Sequence, residues 1–206
     1  MSVILKEIVS DRGDAGTTLQ GNICPRFDFC DFFSGHTRAS GWFSDRFGKP
    51  RRHFCGDFYG HFDSGRFVLD EKLFYSDEVV EARRWVITVT DDGVFKAESD
   101  SLLNGAKGVV NGNQLLMTYA MSVKISHDKS WNLDMEDLMI LQPDGSLHNI
   151  THVHKWGIRI GTVSAQYLHH NGDKLCVDDS TGALKAFSSP QVSSRLSSVR
   201  AQAVSQ

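Results

Sequence analysis

The chain has 206 residues, a formal net charge of −3 and four cysteines. That length holds one well-formed core without requiring a second, and a slightly acidic balance with scattered basic residues excludes a general field for nucleic acid or anionic lipid. No run approaches the roughly 20 apolar residues of a membrane span.

The first segment, residues 1–26, carries a short apolar stretch, Val3-Ile4-Leu5 with Ile8-Val9, then a Gly- and Thr-rich run. Lys6 and Glu7 interrupt it before a secretory apolar region is complete, so the expectation is a lead-in or a helical cap on a cytoplasmic protein. Cys24, Cys30, Cys55 and Cys176 are few and irregularly spaced. They suggest unpaired thiols in a reducing compartment, neither a disulfide framework nor a zinc site.

A β domain is predicted over 27–170. It opens on the aromatic block Phe27 to Phe33, whose density argues for burial. Alternating apolar and polar residues then mark strands over 37–47, 51–62, 66–75, 80–90, 94–98, 108–110, 114–125, 131–141, 147–155 and 158–169. Asp92-Gly93, Asn111-Gly112, Asp144-Gly145 and Asn171-Gly172 supply turn residues that tolerate positive φ. Nothing here reads as a helix of ordinary length. The fold class is all-β: a single antiparallel meander of about ten strands hides its edges most simply by closing into a lipocalin-like barrel. In 171–206 the Ser content rises beyond Phe187 and Pro190 breaks any pattern, which predicts a partly disordered tail.

Alternation assigns faces. Phe67, Leu69, Leu73 and Tyr75 share one with Glu71; Trp85, Ile87 and Val89 share one with Arg83; Leu133, Met135, Met139 and Leu141 share one with Asp137. A charge on an apolar face is costly unless paired, so Arg83 is expected to bridge carboxylates inside the barrel, with Glu71 and Asp137 as the candidates. Leu115, Met117, Tyr119, Met121, Val123 and Ile125 form a wide apolar wall, which reads as ordinary core or as an adaptable pocket. His148, His152 and His154 share a face with Ile150, and no Cys or carboxylate falls at a familiar ligand spacing, so they read as a solvent-facing row and not a metal site. No nucleophile elbow, phosphate loop or dinucleotide fingerprint is present, and no cofactor is implied.

Phe33-Ser34-Gly35, the run Gly41-Trp42-Phe43-Ser44-Asp45-Arg46-Phe47-Gly48, Arg51-Arg52, Leu69-Asp70-Glu71, Tyr75, Arg83-Arg84-Trp85 and Lys155-Trp156-Gly157-Ile158-Arg159-Ile160-Gly161 follow one another in order. This succession resembles the bacterial family catalogued as domain of unknown function 3833, over roughly residues 32–169. The resemblance implies a shared β fold and no known activity, and it directs attention to Arg46, Glu71, Arg83, Asp137, Lys155 and Arg159. Many members resemble exported lipoproteins; no apolar signal region precedes Cys24 here, so export and lipidation are not carried over. Where the family tends to have an aromatic after paired acids, this chain has Glu136-Asp137-Leu138-Met139.

The leading expectation is a carrier for a small amphipathic ligand, with Trp85, Met117, Tyr119 and Met121 as walls and Glu71, Arg83 and Asp137 as polar anchors. An anionic head would favour Arg83. An enzyme using Asp137 as acid or base, or an interaction module with a filled barrel, are the alternatives.

Overall fold

In a computed structural model describing residues 26–170 and Cys176, one short helix precedes ten strands. The helix is α1 (Phe29–Phe33), and the strands are β1 (Gly35–Asp45), β2 (Pro50–Asp63), β3 (Arg66–Tyr75), β4 (Val80–Val89), β5 (Val94–Glu98), β6 (Ala106–Asn111), β7 (Gln114–Ser126), β8 (Lys129–Leu141), β9 (Leu147–Lys155) and β10 (Ile158–His169). Each strand pairs antiparallel with its neighbours in sequence, and β1 pairs with both β2 and β10, closing the barrel. Closure leaves no edge strand exposed. The expected all-β meander is therefore the fold, with the lipocalin likeness one of outline.

The two-residue period of the sequence becomes the inside and outside of the barrel. In β8, Leu133, Met135, Asp137 and Met139 are buried while Asp134 and Glu136 are exposed. Across β3 and β4, Leu69 stands opposite Trp85 and Glu71 opposite Arg83, so apolar and charged rungs line up inside. Strand ends differ from the reading by one or two residues, most at β1, which sits two residues earlier than 37–47 at both ends, and at β6, which runs beyond 108–110 on both sides.

The aromatic block is buried, as expected, but as a helix. Asp28 caps α1 by accepting from the Asp31 N–H at 3.0 Å, and Phe27 N–H donates to the Gly112 carbonyl at 2.9 Å. Phe29 packs against Phe33 and Phe95, with ring centroids 4.5 and 5.0 Å away. The helix closes the barrel end where β1 begins. Gly60 permits it to seat: a Cβ there would lie 1.9 Å from the Phe33 carbonyl oxygen. The lead-in before residue 26 and the tail over 171–206, apart from Cys176, lie outside the described residues.

One expectation fails. Cys55 and Cys176 are not unpaired thiols but a disulfide, with Cα atoms 5.6 Å apart across 121 residues of sequence. Spacing along the chain carries no information about two cysteines that only the closed barrel brings together. Phe54 and Phe58 face inward, so Cys55 lies on the outer face of β2, where Cys176 covers it and donates its N–H to Asp57 at 3.0 Å. Arg38 donates from Nε and Nη2 to Cys55 Sγ, both at 3.3 Å. Cys30 is unpaired, and burial pushes its thiol up to about 11, where it is a poor nucleophile. Among the described residues no helix is long and apolar enough to cross a membrane.

Candidate functional site

The inward faces do not fill the barrel. They enclose a cavity of about 510 Å³, plugged at one end by Phe29 and Phe33 and bounded at the other by Arg51, Arg52, Ser76, Asp77, Ile125 and Trp131. Packed interiors hold few voids larger than a water molecule, so this space is not ordinary core. Glu71, Arg83, Trp85, Met117, Tyr119, Met121 and Asp137, the residues singled out from sequence, all line it. The wall facing β4 is rich in methionine, with Met117 and Met121 from β7 and Met135 and Met139 from β8. Such side chains adapt to irregular shapes.

Two polar networks interrupt the apolar wall. In the first, Arg83 donates from Nη1 to Glu71 Oε1 at 3.0 Å and from Nη2 to Glu81 Oε2. Glu71 Oε2 accepts from the Trp85 indole N–H at 2.8 Å. Glu81 accepts from the Tyr75 hydroxyl at 2.8 Å and the Lys124 backbone N–H at 2.7 Å. Arg83 thus bridges two carboxylates as expected, but the second is Glu81 and not Asp137. Glu81 lies two residues before Arg83 on the same inward face of β4; alternation specifies the face without specifying which charges meet across it. Removing one partner from such a buried cluster typically costs about 3–5 kcal/mol, because the remaining charge is stranded.

The second network surrounds Asp137, only 3% exposed. Its Oδ1 accepts from Asn149 Nδ2 and from Thr151 Oγ1, the latter at 3.1 Å, and its Oδ2 accepts from the Tyr119 hydroxyl at 3.1 Å. Burial dominates over these bonds and pushes the Asp137 carboxyl up to about 6. Asn149 and Thr151 were missed in the sequence, although they alternate with Leu147 and Val153 on the inner face of β9. The histidines of the same strand drew notice instead, and His148, His152 and His154 lie on its outer face with Ile150.

Trp85 and Tyr119 join the networks through an edge-to-face contact at 5.9 Å. Tyr167, also missed, is buried against the same space; burial and the charges of Glu71 and Asp137 hold its phenol well above its ordinary range. No hydrogen bond engages its hydroxyl among the described residues. Among the described residues no cation bonds Asp137, and Arg83 is matched by two carboxylates, which changes the ligand the lumen suits.

Arg46, Lys155 and Arg159, marked by the resemblance, lie outside the cavity on hairpin tips at its mouth: Arg46 between β1 and β2, and Lys155 and Arg159 on either side of the β9–β10 turn.

No curated protein and no solved structure matches the chain. A family model described as "Protein of unknown function (DUF3833)" matches residues 17–168, which takes in α1, all the strands but the last residue of β10, and both lumenal networks. The chain belongs to the DUF3833 family.

Proposed function

We propose that the protein carries a small amphipathic molecule in its barrel. The supporting observation is the cavity of about 510 Å³, within the range of small-molecule sites, with few polar groups set in an apolar wall. The Asp137, Tyr119 and Tyr167 cluster lies toward the α1 end, and Phe43, Val123, Trp131 and Val163 lie toward the mouth. The Arg83, Glu71 and Glu81 network lies nearer the mouth, so the ligand meets polar groups at both levels and its apolar part lies against the methionine wall between them.

The charge state selects the head group. Arg83 is neutralised by two carboxylates, so an anionic head such as a fatty-acid carboxylate gains little there and is repelled by Asp137. A neutral head with hydroxyl or amide groups, or a cationic one, suits the site. A catalytic reading of Asp137 is weaker because both its oxygens are already engaged. The Cys55–Cys176 cross-link favours work in an oxidising compartment over the cytoplasmic one expected from sequence.

Native mass spectrometry of the purified protein, with extraction of anything bound, tests the reading alongside competition against a solvatochromic lipid probe. A long-chain amine or alcohol should displace the probe better than the matching fatty acid. Tyr167→Phe should keep the thermal midpoint, since no bond is lost, while weakening the ligand by about tenfold. An empty protein that binds no probe, or one that prefers the fatty acid, would overturn the proposal.

A further inference from the structure

The mouth of the barrel carries side chains that the fold does not explain. Phe47, Trp156 and Ile158 project from the β1–β2 and β9–β10 tips at 79%, 87% and 60% exposure. Trp156 and Gly157 form the two-residue β9–β10 turn with φ of 54° and 76°. Positive φ at both central positions is the geometry that Asn, Asp and Gly adopt readily, whereas a bulky side chain there is a backbone outlier. A tryptophan at that position is exposed and locally unfavourable, so folding does not select it.

The charge around these tips differs from that of the whole chain. In the barrel order β1, β10, β9, β8, β7, the β1–β2, β9–β10 and β7–β8 tips are consecutive around the rim. They gather Arg46, Lys49, Arg51, Lys129, Lys155 and Arg159 against Asp45 and Asp128. The opposite arc carries Asp77, Glu78 and Asp100. Residues scattered through the sequence thus form one basic sector, although the chain has a net charge of −3. Lys155 Nζ sits 3.3 Å from the ring centre of Trp131, a residue of the cavity wall, so the sector is continuous with the mouth.

We infer that the β1–β2, β7–β8 and β9–β10 tips dock the barrel mouth-down on a membrane surface bearing anionic lipid. Phe47, Trp156 and Ile158 enter the headgroup region while the basic residues meet lipid phosphates. Apolar side chains confined to two small hairpin tips, with basic residues around them, suit a soft interface better than a protein partner, which would require a contiguous apolar patch. The inference extends the carrier reading, because a docked mouth lets an amphipathic molecule pass without crossing water, and it relies on that reading only for this consequence.

The test is co-sedimentation of the full chain with vesicles of phosphatidylcholine alone or with added phosphatidylglycerol. Partition into the anionic vesicles alone, falling as salt rises, is the expected result. Trp156→Asn with Phe47→Ser should weaken partition by about tenfold or more. Because Asn suits the turn, the thermal midpoint should hold or rise, so misfolding would not account for the loss. Lys49→Glu with Arg159→Glu should abolish the preference for anionic vesicles. Absence of partition, partition indifferent to lipid charge, or partition unaffected by these substitutions would overturn the inference. So would displacement of the vesicles by a single-stranded oligonucleotide, which would assign the tips to nucleic acid. Probe binding measured without vesicles separates the two readings: docking without probe binding sinks only the carrier, and probe binding without docking sinks only the membrane surface.

Discussion

Asp137 is the residue whose chemistry departs furthest from that of an exposed carboxyl. Its carboxyl titrates near 6 in the folded barrel against an ordinary 3.8, so the native state holds the proton more tightly than the unfolded chain. Below the ordinary value both states are protonated and the group costs nothing. As pH rises through the interval from the ordinary value to the raised one, the unfolded chain ionises first and native stability falls. Once the native carboxyl has ionised, the loss levels off at about 3 kcal/mol. Asp137→Asn keeps the shape and removes the ionisation. Denaturant titrations at several pH values should show the variant gaining on the parent by about this amount between pH ~4 and pH ~7, then holding a constant difference. A difference independent of pH would mean that Asp137 is not held in a charge-averse setting. Part of this setting was legible: Asp137 lies on the apolar parity of its strand. Its donors were less so, because Asn149 and Thr151 sit on another strand and only the β8–β9 register, which sets Asp137 opposite Thr151, brings them to it.

At the level of elements, the strands were legible and the plug was not. Alternation repeats over each strand and a turn residue ends it, so period and punctuation agree. The five residues of α1 are too few to display a helical period, and burial was all their aromatics announced. What fixes the helix is a tertiary contact, the approach of the Phe33 carbonyl to Gly60. Gly60→Ala would place a methyl group 1.9 Å from that oxygen and 2.7 Å from the buried Phe67 ring, and the closest atoms, the Phe33 carbonyl, are backbone that cannot swing aside. The substitution should cost about 1–3 kcal/mol as an overpacking change and lift α1 from the barrel end. Faster exchange of a lumenal probe, with β-sheet circular dichroism unchanged, would report the opened end. Unchanged stability and exchange would show that the helix seats without the close approach.

At the scale of the whole molecule, closure determines what the sequence conceals. The basic rim becomes a sector only when hairpins far apart in sequence become neighbours, and the two cysteines become partners only when β10 returns beside β1. Cys176 lies beyond β10 in sequence and Cys55 lies on β2, so the disulfide ties across the seam that the β1–β10 hydrogen bonds already close. The covalent link and the hydrogen-bonded seam are therefore separable. Cys55→Ser with Cys176→Ser should leave the barrel folded, since the β1–β10 ladder is intact, but should lower its stability. With the cysteines separated by 121 positions in sequence, the entropy of an unconstrained unfolded chain places the loss at up to about 5 kcal/mol. Comparing denaturant midpoints of the oxidised parent, the reduced parent and the double variant tests both parts. The reduced parent and the variant should coincide below the oxidised parent while sharing its circular dichroism. Loss of the sheet on reduction would make the cross-link a condition of closure. Coincident midpoints for all three would mean that it contributes nothing once the strands have met.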